Sequence, residues 1–230
     1  MNRKTTETEP SLDAVLEFIE AKIIFGEMKP GVELTEDWLM ETTGAKRHIV
    51  RGALEQMIRQ GLVTKQRGHS ARVKKFSPVE VNEVYEMRAL LHREAIRIMP
   101  LPAAKADVMA LTAIHRSYEE AIDAGAPPTQ IHRLNDAFHR TVWALSRNTL
   151  LQEMIETLNV RSASIRSHGI TDSSWLKQAR VEHRAIIAAI ENGDREKLTR
   201  LVVDHMHPTR QIWENMHMEF TKADENGSTL

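Results

Sequence analysis

Helical periodicity over the last two thirds of the chain is the feature that most limits its fold. From Pro78 onward, apolar residues recur every three or four positions, and Gly125 and Gly193 provide helix stops. No alternating strand pattern interrupts them. The sequence therefore predicts a mainly α protein whose C-terminal part is an antiparallel bundle of about six helices. These helices are expected at about residues 78–98, 102–124, 127–147, 149–167, 173–191 and 194–219.

The N-terminal part has a different pattern. Three short apolar stripes at helical spacing are followed by two short strands, 62–64 and 71–73, which are joined by a turn that contains glycine. Trp38 and Leu39 are predicted to be the buried residues of the second helix. Three helices and a small β-hairpin are the layout of a winged helix–turn–helix domain, whose third helix enters the major groove of DNA.

A helix-start signal separates the two parts. Ser77 and Glu80 have the spacing of a capping box, and Pro78 stands at the first helical position. The predicted organisation has a disordered tail, a winged helix–turn–helix domain, an all-α metal- and effector-binding domain and a second disordered tail. Their respective ranges are 1–10, 11–76, 77–220 and 221–230.

Composition excludes several classes of protein. With no cysteine, the chain cannot be a disulfide scaffold, a cysteine zinc finger or an enzyme with a cysteine nucleophile. The polar start is not a secretory signal, and no stretch reaches the roughly 18 apolar residues of a membrane span. We therefore expect a cytoplasmic protein with no membrane partner.

Positive charge is concentrated in one segment of an otherwise neutral chain. Residues 42–75 contain nine Lys and Arg residues but one acidic residue, whereas the whole chain has a net charge of −1. This block coincides with the predicted third helix and hairpin, and it indicates a surface for double-stranded DNA. A solvated basic face without a partner is the alternative. The candidate DNA-binding residues are Lys46, Arg47, His48 and Arg51 on the helix, and Arg67, Gly68 and His69 at the hairpin tip.

The same segment resembles the GntR regulators. The run from Gly26 to Gly31 is similar to their turn before the second helix, and the run from Lys46 to Leu54 is similar to their recognition helix. The Gly-Leu-Val motif and Arg67-Gly68 resemble their wing. The resemblance implies a ligand-responsive transcription regulator, often a repressor, that binds a pseudo-palindromic operator as a homodimer. Substitutions at Lys46, His48, Ile49 and Gly52 depart from the usual recognition-helix signature and leave the operator sequence open.

Three histidines of the second domain are predicted to point inward from three different helices. His139, His183 and His205 each fall within an apolar stripe, and Asn135 lies one turn before His139. Buried imidazoles need partners, and a divalent metal can satisfy several at once. Imidazole and oxygen donors suit Zn, Ni or Mn. The alternative is that each is an ordinary core histidine, as we expect for His115.

This histidine pattern also resembles the C-terminal domain of the FadR subfamily. The matching segments are Asn135 to His139, Glu182-His183, Gly193-Asp194 and His205. The resemblance implies a metal held within an all-α bundle. Two positions depart from it, because Asn135 stands in place of the usual aspartate and His92 stands where glutamate is common.

The neutral amide at Asn135 has an electrostatic consequence. Three imidazoles and an amide would leave the full +2 charge on a metal, which favours an anionic effector. We therefore expect a small carboxylate as effector, bound at or near the metal. Arg88 and Arg161 are candidate carboxylate partners, since arginine can pair bidentately. Salt bridges elsewhere in the bundle are the alternative role for both.

Two other functions are compatible with the histidine pattern. The metal could be purely structural, with the effector bound elsewhere. The chain could also be a three-histidine metal hydrolase, which would need a general base beside the metal. Asp136 and Glu182 are the nearest acids in sequence, but helical spacing predicts that both point away from the metal face.

Overall fold

A computed structural model describes residues 9–167, 169 and 172–216. The chain divides into two compact units between Phe76 and Ser77. The predicted tails at 1–10 and 221–230 fall almost wholly outside the described residues, so their disorder stays a prediction.

The N-terminal unit contains three helices and three short strands. Helix caps explain the ends of α2, because Thr35 accepts a hydrogen bond from the Trp38 amide at its start and Gly44 adopts a left-handed conformation at its end. The elements are α1 (Leu12–Ile24), β1 (Glu33–Leu34), α2 (Glu36–Thr43), α3 (Arg47–Gln60), β2 (Val63–Thr64) and β3 (Ala71–Val73).

The wing is a three-stranded sheet and not the two-stranded hairpin that the sequence predicts. β3 lies in the middle, antiparallel to both β1 and β2. The missed strand β1 follows Gly31, whose φ of +84° turns the chain back toward β3. The Gly31 amide then donates to the Val73 carbonyl, and the Val73 amide donates to the Val32 carbonyl. Backbone pairing thus defines a strand too short to show an alternating pattern.

Burial in this unit follows the predicted stripes with one exception. Leu39 is fully buried, as are Val50 and Met57 on the inner face of α3. Trp38 was predicted to be buried but is 42% exposed. Adjacent residues on a helix are about 100° apart, and on α2 it is Leu39 that faces the interior while Trp38 lies at the edge of the buried face.

The C-terminal unit is helical, as predicted. Its first helix begins with the predicted capping box, in which Ser77 and Glu80 each bind the other's backbone amide. The helices are α4 (Pro78–Ile98), α5 (Lys105–Asp123), α6 (Pro128–Ala144), α7 (Thr149–Arg161), α8 (Ala163–Arg166), α9 (Ser173–Asn192), α10 (Arg195–Asp204) and α11 (207–216). The mainly α fold class is confirmed.

Two of the predicted helices are each divided into two. The helix expected at 149–167 is interrupted at Ser162, which separates α7 from α8. The helix expected at 194–219 ends at Asp204, and α11 starts at 207 after a two-residue turn. Pro208 explains the second break, because proline is accepted in the first turn of a helix but not in its interior. Residues 217–219 lie outside the described residues.

One continuous core joins most of these helices. Leu91, Leu111, Phe138, Ile186 and Leu198 come from five different helices and pack together in it. The inward faces of these helices also place several polar residues in the same interior. Within the described residues, no helix combines the length and the apolar character that a membrane span requires.

Candidate metal and effector site, and candidate DNA interface

Three imidazoles meet inside the C-terminal unit. His205 Nε2 lies 3.3 Å from His183 Nε2 and 3.3 Å from His139 Nε2. One nitrogen from each of the three rings lies within 4.8 Å of the other two. His183 and His205 are buried, and His139 is half-buried. The structure therefore brings together the three histidines that the sequence singled out.

Helical spacing explains this convergence. On α9, His183 shares a buried stripe with Ala179, Ile186 and Ile190, so the core fixes its direction. On α6, His139 directly follows the fully buried Phe138, whose ring stacks on that of His183. His205 is the C-cap of α10 and lies in the turn that precedes Pro208.

Glu182 orients His205. Its Oε2 lies 2.5 Å from His205 Nδ1, and its other oxygen accepts a hydrogen bond from Gln178. Donation from Nδ1–H to the carboxylate leaves the lone pair of Nε2 facing the other two imidazoles. Glu182 was predicted to point away from the metal face. Its long side chain instead reaches back to the outer nitrogen of His205.

Burial keeps two of these imidazoles neutral. It lowers the pKa of His183 and of His139 well below the ordinary value, and the nearby His205 lowers both further. Burial by itself would raise the pKa of the Glu182 carboxyl, but hydrogen bonds from His205 and Gln178 lower it. The cluster thus offers neutral nitrogen donors beside an ionised carboxylate.

The cluster fits a divalent metal. In tetrahedral coordination with metal–nitrogen bonds of about 2.0–2.1 Å, neighbouring ligand nitrogens stand about 3.3–3.4 Å apart. The two Nε2–Nε2 distances of 3.3 Å match that spacing. Asn135 lines the same cavity as His139 and His205, so α6 presents this residue on the side where a further donor would be needed.

A cavity of about 50 Å³ adjoins the histidines. At about 10–15 Å³ for each water position, it holds roughly four water molecules side by side. Aromatic and aliphatic side chains form its apolar wall, and arginine, histidine, amide and threonine side chains form the remainder. The lining residues are Arg88, His92, Tyr118, His132, Asn135, His139, Trp143, Asn159, Arg166, Trp175, Ile186, Val202, His205, Met206 and Thr209.

Arg88 reaches this cavity as a buried cation. Its Nε and Nη1 have no hydrogen-bond partner, and its guanidinium lies 5.0 Å from the centre of the Tyr85 ring. Burial lowers the pKa of Arg88 to about 10, so the group is still charged at neutral pH. Two unpaired N–H groups on a buried charge are costly, which makes Arg88 a candidate for ligand binding.

A second arginine at the cavity is already paired. Arg166 donates to Asp136 Oδ1 over 2.9 Å and to the Asn159 carbonyl over 3.2 Å. Burial alone would raise the pKa of the Asp136 carboxyl, but the Arg166 guanidinium outweighs that effect and holds it below its usual range. Arg166 was missed from the sequence, although a half-buried Asp136 beside His139 implies a cationic partner.

Arg161 does not join this site. It was predicted as a carboxylate partner, but it is exposed at the end of α7 and does not line the cavity. The break at Ser162 sets the direction of the following turn, so that Arg166 enters the cavity instead. His115 is buried beside the rings of Tyr118, Phe138 and His183, outside the three-histidine group, as expected for a core residue.

The N-terminal unit exposes the predicted DNA-binding residues. Lys46, Arg47, His48 and Arg51 are exposed at the start of α3. Arg67, Gly68 and His69 are exposed at the tip between β2 and β3, where Gly68 has a φ of +80°. The two groups belong to the same unit and contain four of its thirteen Lys and Arg residues. This placement fits a recognition helix and a wing.

Carboxylates of α2 bind the two candidate base-reading arginines. Arg51 Nε lies 2.9 Å from Glu36 Oε1, and Arg47 Nη2 lies 2.7 Å from Asp37 Oδ1. Arg47 also contacts Glu36 over 3.3 Å. Exposed pairs of this kind contribute about 0–1 kcal/mol, so DNA can replace them. No pattern in the sequence indicated these contacts.

Comparison with known proteins identifies the family. Residues 12–73 match the family of bacterial regulatory proteins named gntR, and residues 83–208, more than half of the chain, match the FCD domain. The chain belongs to the GntR family. It is a transcription regulator with a GntR helix–turn–helix and an FCD C-terminal domain, and it is not an enzyme.

Individual relatives agree with this assignment. The regulator is 27% identical over 190 residues to the uncharacterized HTH-type transcriptional regulator YdhC of Bacillus subtilis (strain 168), covering 81% of this chain and 84% of that protein. Its fold is similar to that of E. coli McbR/YncC, with a TM-score of 0.75, 20% identity and coverage of 91% and 100% of the two chains. A putative GntR regulator from Rhodococcus sp. RHA1 gives a TM-score of 0.71 at 17% identity, with coverage of 87% and 96%.

The hydrogen bonds of Glu182 and Asp136 also argue against the metal-hydrolase alternative. Glu182 is committed to His205 and Gln178, and Asp136 is committed to Arg166. Neither carboxylate is therefore free to act as a general base on a metal-bound water.

Lowering the pH should destabilise the metal-free regulator at pH values that are still well above the pKa of its carboxylates. Burial lowers the pKa of His92, His139 and His183, so the unfolded chain takes up protons below about pH 6.5 while the folded chain does not. Stability is fully present above that pH and is lost as the pH falls. Each imidazole contributes up to about 1.4 kcal/mol per pH unit.

Urea denaturation in EDTA between pH 7 and pH 5 measures this effect. Trp143, Trp175 and Trp213, three of the four tryptophans, report on the C-terminal unit. His92→Phe is the matched variant, and it should give a shallower pH dependence because one titrating group is gone. A free energy of unfolding that does not change across this range would contradict the prediction.

Proposed function

We propose that the regulator belongs to the FadR subfamily and senses a small organic acid through a metal in its C-terminal domain. The metal would be held by His139, His183 and His205, with Asn135 as the oxygen donor. One observation carries the proposal, namely that three Nε2 atoms converge beside a cavity that also contains the unpaired cation of Arg88. Such a regulator acts on DNA in the cytoplasm.

The donor set supports a borderline transition metal. Neutral imidazoles and one amide suit Zn, Ni or Mn, and the Glu182–His205 hydrogen bond supplies the outer support that metal-binding histidines usually have. When bound, the metal would provide a positive centre for an anion. With no carboxylate among the four proposed ligands, its charge of +2 would not be offset by them.

Charge supports a carboxylate effector. Arg88 is charged, buried and unpaired at Nε and Nη1, whereas Arg166 is neutralised by Asp136. The cavity therefore has a net positive wall before any metal is added. A carboxylate can accept two hydrogen bonds from one guanidinium, so Arg88 is the residue to bind it.

Metal binding should depend on the three histidines and on Glu182. His139→Ala and His183→Ala should lose stoichiometric metal, because each removes one of three imidazole ligands. Glu182→Gln should weaken affinity about 10–100-fold, since the carboxylate that orients His205 is lost. Metal content is measured by mass spectrometry after purification, and affinity is measured by competition with a chelator.

Glu191→Gln is the matched control for Glu182→Gln. Glu191 is exposed on the same helix and should have no effect on the metal. Full metal occupancy in both histidine variants would refute the site. Equal affinity in Glu182→Gln and Glu191→Gln would show that the Glu182–His205 contact has no part in metal binding.

We propose that α3 and the wing read the operator. Arg47 and Arg51 would bind bases near the start of α3, with guanine the usual partner of arginine in the major groove. Lys46, His48, Arg67, Gly68 and His69 would contact the backbone or the minor groove from the same exposed surface. The position of the arginines in the first two turns of α3 supports this assignment.

Sequences that the wild-type regulator selects from a random duplex library should contain an inverted repeat. The Arg51→Ala variant should bind these sequences about 5- to 150-fold more weakly than the wild type does. This range corresponds to the 1–3 kcal/mol carried by a bidentate arginine–base contact. Arg47→Ala should behave likewise. Gel shifts measure both variants against the wild type and against unselected DNA.

Arg116→Ala removes the same charge from an exposed position of the C-terminal unit, and it should bind the selected sequence like the wild type. Failure to enrich any sequence would oppose operator recognition. Equal loss on selected and unselected DNA would assign Arg51 to the phosphate backbone and not to the bases.

We propose that the regulator is a homodimer joined through α4 and α7. Val79, Met87 and Leu90 are exposed within about 80° of one another on α4, and Leu150 and Met154 are exposed one turn apart on α7. α4 packs against α7, so these apolar side chains belong to neighbouring helices. A second copy of the same surface would cover them, as in a two-fold symmetric interface.

Leu90→Glu and Met154→Glu should therefore turn a dimer into a monomer, because each places a charge in the apolar contact. Sedimentation velocity measures the molecular mass. Met109→Glu on α5 and Val181→Glu on α9 replace equally exposed apolar residues outside this surface and should stay dimeric. A monomeric wild type, or dimeric Leu90→Glu and Met154→Glu variants, would exclude this interface.

A further inference from the structure

His92 is a buried imidazole that is not among the proposed metal ligands. Its side chain is 2% exposed, it lines the cavity, and neither of its ring nitrogens has a hydrogen-bond partner. Its ring stacks on Trp143, with the centroids 4.1 Å apart and the planes 17° from parallel. The stack holds the ring in one plane, so its two nitrogens have fixed directions.

The protonation state of His92 defines what it can bind. Burial and the charge of Arg88 both lower the pKa of His92 well below its ordinary value, so the ring is neutral. A neutral imidazole has one donor and one acceptor. Leaving such groups unpaired in the interior is unfavourable, and a core position without a ligand would be filled better by an apolar ring.

The position of His92 relative to Arg88 defines where its partner lies. The two residues are four positions apart on α4, so they share one face one turn apart. Both reach the same cavity of about 50 Å³. A ligand held by Arg88 through its carboxylate therefore presents its neighbouring atoms to His92. Covalently bonded atoms lie closer together than separate water molecules do. A cavity that holds roughly four waters therefore also has room for a compact acid.

We propose that His92 is a specificity residue that selects a carboxylate bearing a hydroxyl group next to it. This inference rests on the proposed carboxylate effector and narrows its class. A hydroxyl both donates and accepts, so it can pair with the nitrogen of His92 that faces it whether that nitrogen is the donor or the acceptor. An ammonium group at the same position would face the charge of Arg88 and the +2 of a metal, so the matching amino acid is rejected.

Three probes of nearly equal size test the inference, namely propionate, its 2-hydroxy derivative lactate and its 2-amino derivative alanine. The zinc-loaded full chain is titrated with each, and binding is followed by tryptophan fluorescence, since Trp143 and Trp175 line the cavity. Lactate should bind about tenfold more tightly than propionate, which corresponds to about 1.4 kcal/mol. Alanine should bind more weakly than either.

His92→Phe keeps a ring to stack on Trp143 and removes both nitrogens. The ratio of lactate to propionate affinity should fall to about one in this variant. His92→Gln retains a donor and an acceptor and should keep part of the preference. His115→Phe is the control, because it replaces another buried histidine that does not line the cavity, and it should keep the full preference.

Each contrary result has a separate meaning. If wild type binds neither lactate nor propionate, the carboxylate proposal fails and this inference fails with it. If wild type binds both equally, the carboxylate proposal stands and the role of His92 is wrong. If His92→Phe keeps the preference for lactate, the metal and not His92 binds the hydroxyl group. Melting temperature separates misfolding from lost selectivity, because the metal-free His92→Phe protein should melt no lower than wild type.

Discussion

The hydrogen bond between Glu182 and His205 determines what the interior of the C-terminal unit can bind. With the Nδ1 proton committed to the carboxylate, His205 turns an unshared electron pair toward His139 and His183. Three nitrogen donors then face one point in a region where burial keeps His139 and His183 uncharged. An interior built in this way favours a cation at the centre of the cluster and an anion beside it.

Much of the fold could be predicted because it depends on local signals. Helical spacing and caps such as Ser77 and Thr35 gave the helices of both units. The errors arose where distant or very local geometry decides the structure. β1 is two residues long and exists through its pairing with β3, and the exposure of Trp38 depends on which face of α2 meets α3. No pattern within either segment contains that information.

The site was predictable to the extent that helical phase controls it. His139, His183 and His205 lie on apolar stripes, so their inward direction follows from the period of the helix. The arginines do not follow this rule. Arg161 and Arg166 were expected on one helix, but the break at Ser162 resets the phase between them. Glu182 was misjudged because a long side chain can reach a ring that its backbone position does not face.

The contact of Glu36 with Arg47 and Arg51 bears on how the regulator searches a genome. Glu36 acts as a counterion that is covalently attached to the protein. In the proposed complex with DNA, the partner displaced from these arginines would stay attached and gain little freedom, unlike a mobile anion released into solution. Random DNA would then attract α3 less strongly than the formal charge of the helix suggests. The time spent on wrong sequences would be shorter, and a correct base contact would make a larger relative difference.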